Sequence, residues 1–350
     1  MQQNITSYDI GVLLKATLKN NASDLHLVAR SEPRIRIDGE LIKLNLPVLE
    51  KKEINKLCYT ILTDRQKKTL EEEKELDFSI DLENIGRFRV NYYYTMGSVA
   101  AAFRVITTKI PTLESINAPE VLKTLVKKRK GLILVTGPTG SGKTTTVAAM
   151  INEINQTARK HILSIEDPIE YVHKNANCLF SYRNIGEDTK TFDNALKSAL
   201  REDPDIIFIG ELRNTETMEI ALEAAETGHL VMGTLHTNSA AQTINRIVSS
   251  FEGGKQEQIR SQVAITIEGI ISQVLLPKVN GGRVAATEIL VGTPAIRNLI
   301  RENKIHQINA QMMIGQTTSG MKTMIQSLND LLKNKLISQE EYEITTSTIS

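Results

Sequence analysis

The sequence predicts an α/β protein in two parts. A small mixed α+β domain comes first, followed by a mostly parallel sheet covered by helices on both faces, with a helical C-terminal region. Three observations predict this. Four apolar runs, at 132–135, 162–165, 206–209 and 230–235, alternate with long stretches of helical period, the pattern of strands buried on both faces. Pro111 and Pro119 bracket a segment near 107–119 that neither a helix nor a central strand would accept, which marks a boundary. A glycine-rich turn at 137–144 stands between the first apolar run and a helix-forming stretch.

The elements follow in chain order. Ile10, Leu13, Leu14 and Leu18 fall at helical spacing. Residues 34–38, Arg-Ile-Arg-Ile-Asp, alternate like a half-buried strand that Gly39 ends. Leu76, Phe78 and Ile80 alternate too, and residues 83–86 predict a turn into Arg87-Phe88-Arg89-Val90. The acidic run 71–73 predicts a solvated helix face. After about Pro294 the chain reads as helical to its end, and no internal repeat or low-complexity tract is visible. The expected boundaries are a first domain at 1–107, a linker at 108–119, a core at 120–290 and a helical region at 291–350.

Composition excludes several function classes. Across 350 residues, 42 basic and 41 acidic side chains nearly cancel, which argues against a nucleic-acid-coating protein. Aromatics are 4% and tryptophan is missing, leaving little for base stacking. Cys58 and Cys178 are too far apart for a zinc spacing and too few for a disulfide framework, so a reducing compartment fits. No apolar run approaches the ~18 residues of a spanning helix. The N-terminus has no basic stretch followed by an apolar core. A soluble cytoplasmic protein is expected.

Residues 137–144, Gly-Pro-Thr-Gly-Ser-Gly-Lys-Thr, fit the G-x-x-x-x-G-K-[ST] phosphate loop in its required strand–loop–helix setting. Gly137, Pro138, Thr139, Gly140, Ser141 and Gly142 would turn backbone N–H groups inward around phosphate oxygens, with the positive end of the following helix aimed at the same anion. Lys143 would reach the β- and γ-phosphates of ATP, the Thr144 hydroxyl would hold Mg²⁺, and Thr145 completes the nucleotide-binding stretch.

In open parallel sheets ligands bind beyond the carboxyl ends of the strands. Gly137, Glu166, Gly210-Glu211 and His236 each follow a predicted strand, so four segments deliver these groups to one edge. Where a second nucleotide-site strand often ends in Asp-Glu, this one ends in Gly210-Glu211. Glu166, with Asp167 as the lesser candidate, would then supply the carboxylate that holds Mg²⁺ through water. Glu211 would polarise the attacking water. His229 and His236 flank one strand about 23 Å apart if fully extended, and cannot share an ion. His236 sits at the phosphate edge and would sense the γ-phosphate. His229 sits at the opposite edge, with a structural or subunit-contact role. His26, His161, His173 and His306 read as ordinary.

These residues resemble the secretion superfamily of hexameric ATPases over nearly the whole chain. Residues 23–27, Ser-Asp-Leu-His-Leu, resemble its N-terminal signature. Residues 137–144 resemble its Walker A, 165–170 its Asp box, 205–213 its atypical Walker B and 228–237 its His box. Ala295-Ile296-Arg297-Asn298-Leu299-Ile300-Arg301-Glu302 resembles the motif of its pilus-retraction branch. The resemblance implies a PAS-like N-terminal domain, a RecA-like P-loop core and a homohexameric ring. It implies Mg-ATP hydrolysis coupled to domain closure, with residues 107–119 as hinge. It implies a motor at the cytoplasmic face of the inner membrane, acting on a platform protein at the pilus base, with an accessory retraction paralogue as a further partner and no nucleic acid.

Arg104 matches an N-terminal-domain arginine that neutralises phosphate in such rings. A second arginine, usual a few residues earlier, is missing from 95–98, with Arg87 and Arg89 as substitutes. Arg213 joins His229 as a subunit-contact candidate. Thr293-Pro294 would start the C-terminal motif helix, with Ile296, Leu299 and Ile300 as one apolar stripe and Arg297 and Arg301 on an exposed face.

Other readings predict different features. A paralogous accessory retraction ATPase is one alternative, and a pilus-extension or type II secretion ATPase, the other within the superfamily, would carry an extra N-terminal domain and a four-cysteine zinc insert. A RecA-like DNA-dependent ATPase would need a basic groove, for which only the run 127–130 stands out.

Overall fold

A computed structural model describes residues 9–37, 39–106 and 110–349. The chain divides into two compact units, Met1–Lys109 and Ile110–Ser350.

The N-terminal unit places α1 (Ile10–Lys19), α2 (Lys51–Thr60) and α3 (Asp64–Glu73) with six strands: β1 (Asp24–Leu27), β2 (Arg34–Ile37), β3 (Glu40–Lys43), β4 (Glu75–Leu82), β5 (Gly86–Thr95) and β6 (Ser98–Ile106). The strands form one antiparallel sheet in the order β3-β2-β1-β6-β5-β4. Leu13 and Leu14 of α1 and Ile54 and Leu57 of α2 share its core with Phe88, Tyr92 and Phe103. The expected helix at 10–18 and the alternating strands lie here, Asp38 being outside the described residues. Residues 71–73 are exposed at the end of α3.

The C-terminal unit begins with α4 (Val121–Leu125), β7 (Gly131–Thr136), α5 (Lys143–Thr157), β8 (His161–Glu166), β9 (Leu179–Asn184) and α6 (Phe192–Ala199). It continues with β10 (Ile206–Ile209), α7 (Thr215–Thr227), β11 (Leu230–Leu235), α8 (Ala240–Ser249), α9 (Gly253–Thr266), β12 (Ile267–Pro277) and β13 (Arg283–Val291). Then come α10 (Pro294–Arg301), a short 3₁₀ turn at Ile305–Gln307, α11 (Ile308–Ile314), α12 (Gln316–Ser319), α13 (Met324–Lys333) and α14 (Gln339–Ile349).

The seven-stranded sheet has the order β13-β12-β7-β11-β10-β8-β9. It is parallel except for β13, which lies antiparallel to β12. Alternate side chains feed two cores. Leu132, Leu134, Leu163 and Ile207 pack against α6 to α10, whereas Ile133, Val135, Ile162 and Phe208 pack against α5 and the segment containing Leu113. The four apolar runs expected as strands are β7, β8, β10 and β11. Strands β9, β12 and β13 were not expected: they carry polar side chains or run directly on from a helix, so no isolated apolar run announces them.

Two expectations need correction. Of the linker segment, 107–109 lie outside the described residues. Residues 110–119 belong to the C-terminal unit, where Leu113 is buried and the Pro111 carbonyl accepts a 3.2 Å hydrogen bond from Asn152. The other concerns the C-terminal motif. Thr293 caps α10 with Pro294 at its first turn, and Ile296 and Ile300 are fully buried. Arg297, however, is not on a solvated face. Its side chain is 20% exposed, and it donates to the carbonyls of Gly292 (2.8 Å), Ala264 (3.0 Å) and Ile265 and to Glu268 Oε1 (2.7 Å). The Ala264 and Ile265 carbonyls lie in the last turn of α9, where orphan acceptors and the negative dipole end favour a cation. Glu268 also meets Lys128 at 2.8 Å. Arg301 is exposed.

Arg297→Ala leaves these acceptors without their donor, which costs about 2 kcal/mol. A fall of roughly 5 °C in thermal midpoint is expected, against about 0.5 kcal/mol or less for Arg301→Ala. Equal effects in the two variants would show that the clamp does not hold α9.

Candidate active site at the carboxyl edge of the sheet

Four strand ends meet at one edge. Loop 137–142 follows β7, Glu166 ends β8, Gly210-Glu211 follows β10 and His236 follows β11. Gly137 (φ +144°) and Gly142 (φ +86°) adopt backbone conformations that other residues rarely reach. A Cβ on Gly137 would collide with the Gln273 carbonyl oxygen and lie 2.7 Å from Ser141 Oγ. Gly142 stands at the N-cap of α5, and no side chain caps that helix. Its first-turn N–H groups therefore face the loop, as anion binding requires. Ser141 Oγ is buried without a hydrogen-bond partner among the described residues, which suits a cradle built for an oxygen-rich ligand.

Lys143 Nζ donates to the carbonyls of Gly137 (2.8 Å) and Pro138 (3.0 Å) and lies 3.5 Å from His236 Nδ1. Burial lowers the ammonium below its ordinary pKa, against the pull of the Glu211 and Glu170 charges. His236 Nε2 lies 3.1 Å from Glu211 Oε1, and Arg213 Nε lies 2.8 Å from Glu211 Oε2. The two oxygens of Glu211 are thus fixed from opposite sides, in a line of contacts running from Lys143 through His236 to Glu211 and Arg213. Arg213 also faces Asp167 at 3.9 Å and is 57% exposed.

Glu166 is buried. Ser164 Oγ donates to its Oε1 at 2.5 Å and the Glu170 backbone N–H to its Oε2 at 3.3 Å. Glu166 and Thr144 line one small void with Tyr171, His173 and Tyr182. A Cβ on Gly210 would meet Glu166 Cα and Cγ at 3.4 Å. A side chain at position 210 would therefore stand directly against Glu166. Behind the void, the His173 ring stacks on Phe180, and burial pushes its pKa down to about 4, so it serves as an apolar wall. The Thr145 hydroxyl meets Tyr171 Oη at 3.2 Å.

A cavity of about 420 Å³ opens beside Gly142 and Thr145, between residues 115–119, β12, β13 and α13. Asn117, Leu275, Arg283 and Asp330 are among its walls. His229 lies at the far edge of the sheet, its Nδ1 3.0 Å from the Ala224 carbonyl.

Arg104 belongs to the N-terminal unit. Its Nε donates to Asp24 Oδ1 at 2.9 Å while its side chain stays 68% exposed. Burial alone would raise the Asp24 pKa; the Ser23 hydroxyl, the Arg104 hydrogen bond and the Arg104 charge together hold it below the ordinary carboxylate range. Arg89 faces Arg104 across the β5–β6 ladder, and Arg87 lies opposite Ile106.

Sequence reasoning missed Ser164, Tyr171, the cavity walls and Gln273. Gln273 and Ser272 interrupt the apolar stretch 270–276, and such a polar pair in an otherwise buried strand was the available signal.

Two outcomes follow. Gly137→Ala should weaken binding of a fluorescent ADP analogue roughly tenfold or more; unchanged affinity would show that the loop does not cradle phosphate. Because the depressed Asp24 favours the ionised folded form, its stabilisation is present above about pH 4 and is lost as pH falls through the folded-state value. Asp24→Asn should flatten that acid-side loss in the unfolding curve, and an unchanged acid limb would remove Asp24 as its source.

The family described as type II/IV secretion system protein matches residues 2–281. The chain is 49% identical over 332 residues to the type IV pilus retraction ATPase PilT of Pseudomonas aeruginosa, covering 95% of this chain and 96% of that protein. It is 47% identical over 335 residues to a twitching motility protein of Neisseria gonorrhoeae, covering 95% and 89%. The crystal structure of the pilus retraction motor PilT with bound ADP superimposes with a TM-score of 0.91 at 49% identity, covering 96% of each chain. The type IV pilus ATPase PilU of Pseudomonas aeruginosa, at 37% identity, and the type IV pilus assembly ATPase PilB of Acinetobacter baylyi, at 34%, are more distant relatives. With its phosphate loop and these matches over most of its length, the chain belongs to the type II/IV secretion system protein family.

Proposed function

We propose that this chain is the ATP-hydrolysing motor of type IV pilus retraction, working as a homohexameric ring. The observation that carries the reading is the line of contacts from Lys143 through His236 to Glu211 at the mouth of an uncapped phosphate loop. The similarity to retraction and twitching proteins supplies the direction of the work.

ATP would lie with its phosphates in the stretch 137–145 and its nucleoside in the adjoining cavity of about 420 Å³. Lys143 would offset charge on the β- and γ-phosphates, aided by Arg104 from an N-terminal domain. Thr144 and, through water, Glu166 are the oxygen donors that would hold Mg²⁺, and both line the same void. Bound there, the ion offsets phosphate charge. Glu211, held by His236 on one oxygen and Arg213 on the other, orients a water and takes its proton. His236, touching both Lys143 and Glu211, is placed to report the γ-phosphate. Domain closure around ATP and reopening after hydrolysis would move the ring. His229 and the exposed Arg213 are candidate subunit contacts.

Among the described residues no helix is long and apolar enough to cross a membrane. This is compatible with a peripheral position at the cytoplasmic side of the pilus base, against a membrane platform protein and alongside an accessory paralogue.

Glu211→Gln tests the chemistry: ATP binding should persist while turnover falls by about 100-fold or more, and unchanged turnover removes Glu211 from its role. Gene deletion tests the direction of force: surplus surface pili without twitching supports retraction, whereas loss of pili points to assembly.

A further inference from the structure

The helices of the C-terminal unit differ at their N-termini: α4, α5 and α9 have no side-chain cap. Helices α6, α7, α8, α10 and α13 are each capped by a side-chain oxygen, from Thr191, Asn214, Ser239, Thr293 and Thr323. α5 has no side-chain cap. A cap would occupy the first-turn N–H groups that a phosphate needs, so the loop and the first turn are fastened by other contacts, among them Lys143 to the Gly137 and Pro138 carbonyls.

Gln273 of β12 adds a further fastening from the neighbouring strand, at the wall of the cavity beside Gly142 and Thr145. Its side chain is buried at 2% exposure. Nε2 donates to the Ser141 carbonyl at 2.5 Å, and Oε1 accepts from Thr146 Oγ1 at 2.9 Å. One amide thus joins the last part of the loop to the first turn of α5, across the left-handed Gly142. The Gln273 backbone carbonyl occupies the space where a Gly137 side chain would go. One residue earlier, the Ser272 hydroxyl meets Thr136 Oγ1 at 2.8 Å, fastening the end of β7 to the same strand.

We propose that Gln273 is a positioning residue for nucleotide binding: its amide replaces the missing helix cap and fixes the phosphate loop in its binding shape before nucleotide arrives. It needs both halves of the amide. The donor satisfies a buried loop carbonyl and the acceptor satisfies a buried hydroxyl. Affinity improves because a loop held in its bound shape loses less freedom on binding. The inference rests on the reading of residues 137–145 as the nucleotide site.

The test uses the full chain, a fluorescent ADP analogue for equilibrium binding, and ATP turnover for the split between KM and kcat. Gln273→Leu keeps the apolar bulk and removes both hydrogen bonds. It should weaken ADP binding and raise KM about tenfold, with kcat at saturating ATP kept within about twofold. Gln273→Glu keeps the acceptor toward Thr146 but turns a carboxylate toward the Ser141 carbonyl. Protonation restores an O–H donor, so its affinity relative to wild type should recover as pH is lowered from about 8 to about 6. The ratio to wild type at each pH cancels the shared contributions of Lys278, Arg283, Lys322 and Asp330, which line the same cavity.

Wild-type affinity in Gln273→Leu overturns the proposal, as does a drop in kcat with KM unchanged. If Gln273→Leu fails to fold, Gln273→Glu decides alone: a pH-independent ratio to wild type overturns the proposal. If wild type itself does not bind the ADP analogue, the loop reading fails first, and the proposal with it.

Discussion

A helix N-terminus kept open is the constraint on which the C-terminal unit depends. Leaving α5 without a side-chain cap forgoes about 1 kcal/mol of ordinary helix stabilisation. The surrounding fold carries that cost. β7 is buried between β11 and β12, the loop leaves its carboxyl end, and α5 packs back on the sheet through Val147, Met150 and Ile151. Because β7, β8, β10 and β11 are parallel, their carboxyl ends coincide, and the groups that follow them meet at the open N–H groups. Reverse one strand and its terminal carboxylate would leave for the opposite edge.

The same constraint explains where polarity enters an otherwise apolar sheet. Thr136, Ser164, Thr234, Ser272 and Gln273 are buried polar residues on its strands. Thr136 bonds Ser272, Ser164 bonds Glu166, Thr234 bonds the Gly210 carbonyl and Gln273 bonds the phosphate loop. Thr136 ends β7, Ser164 and Thr234 lie in the second halves of β8 and β11, and Ser272, at the middle of β12, pairs with Thr136. Buried polar atoms are tolerated only when their hydrogen bonds are made, and these make them to the parts that must be held still.

The C-terminal motif joins two tasks on a single turn-and-a-half of helix. Ile296 and Ile300 close the core beneath α9, while Arg297 caps the last carbonyls of α9 and meets Glu268 at the start of β12. Gln273 lies five residues farther along the same strand. β12 therefore carries the fastening of the motif helix near one end and the fastening of the phosphate loop nearer the other. Asn298, Arg301 and Glu302 remain at the surface, where other molecules can meet them.

Sequence alone determined what depends on local pattern. Continuous apolar runs showed which strands are buried on both faces, and glycine spacing with a following helix showed the phosphate loop. Because side chains at strand ends in a parallel sheet share an edge, Lys143, Glu211 and His236 could be brought together before any coordinates. Tertiary structure decided what depends on partners distant in the chain. Arg297 and Arg301 have the same spacing on the same helix, and only the carbonyls of α9 make one a buried clamp and leave the other exposed. Gln273 lies in no motif, and its role appears only because β12 lies beside β7, which sets an amide 132 residues away in sequence against the Ser141 carbonyl. Periodicity reports which face of an element is apolar; which polar atoms meet across elements is settled by packing, because a hydrogen bond is specified by position and direction rather than by residue type.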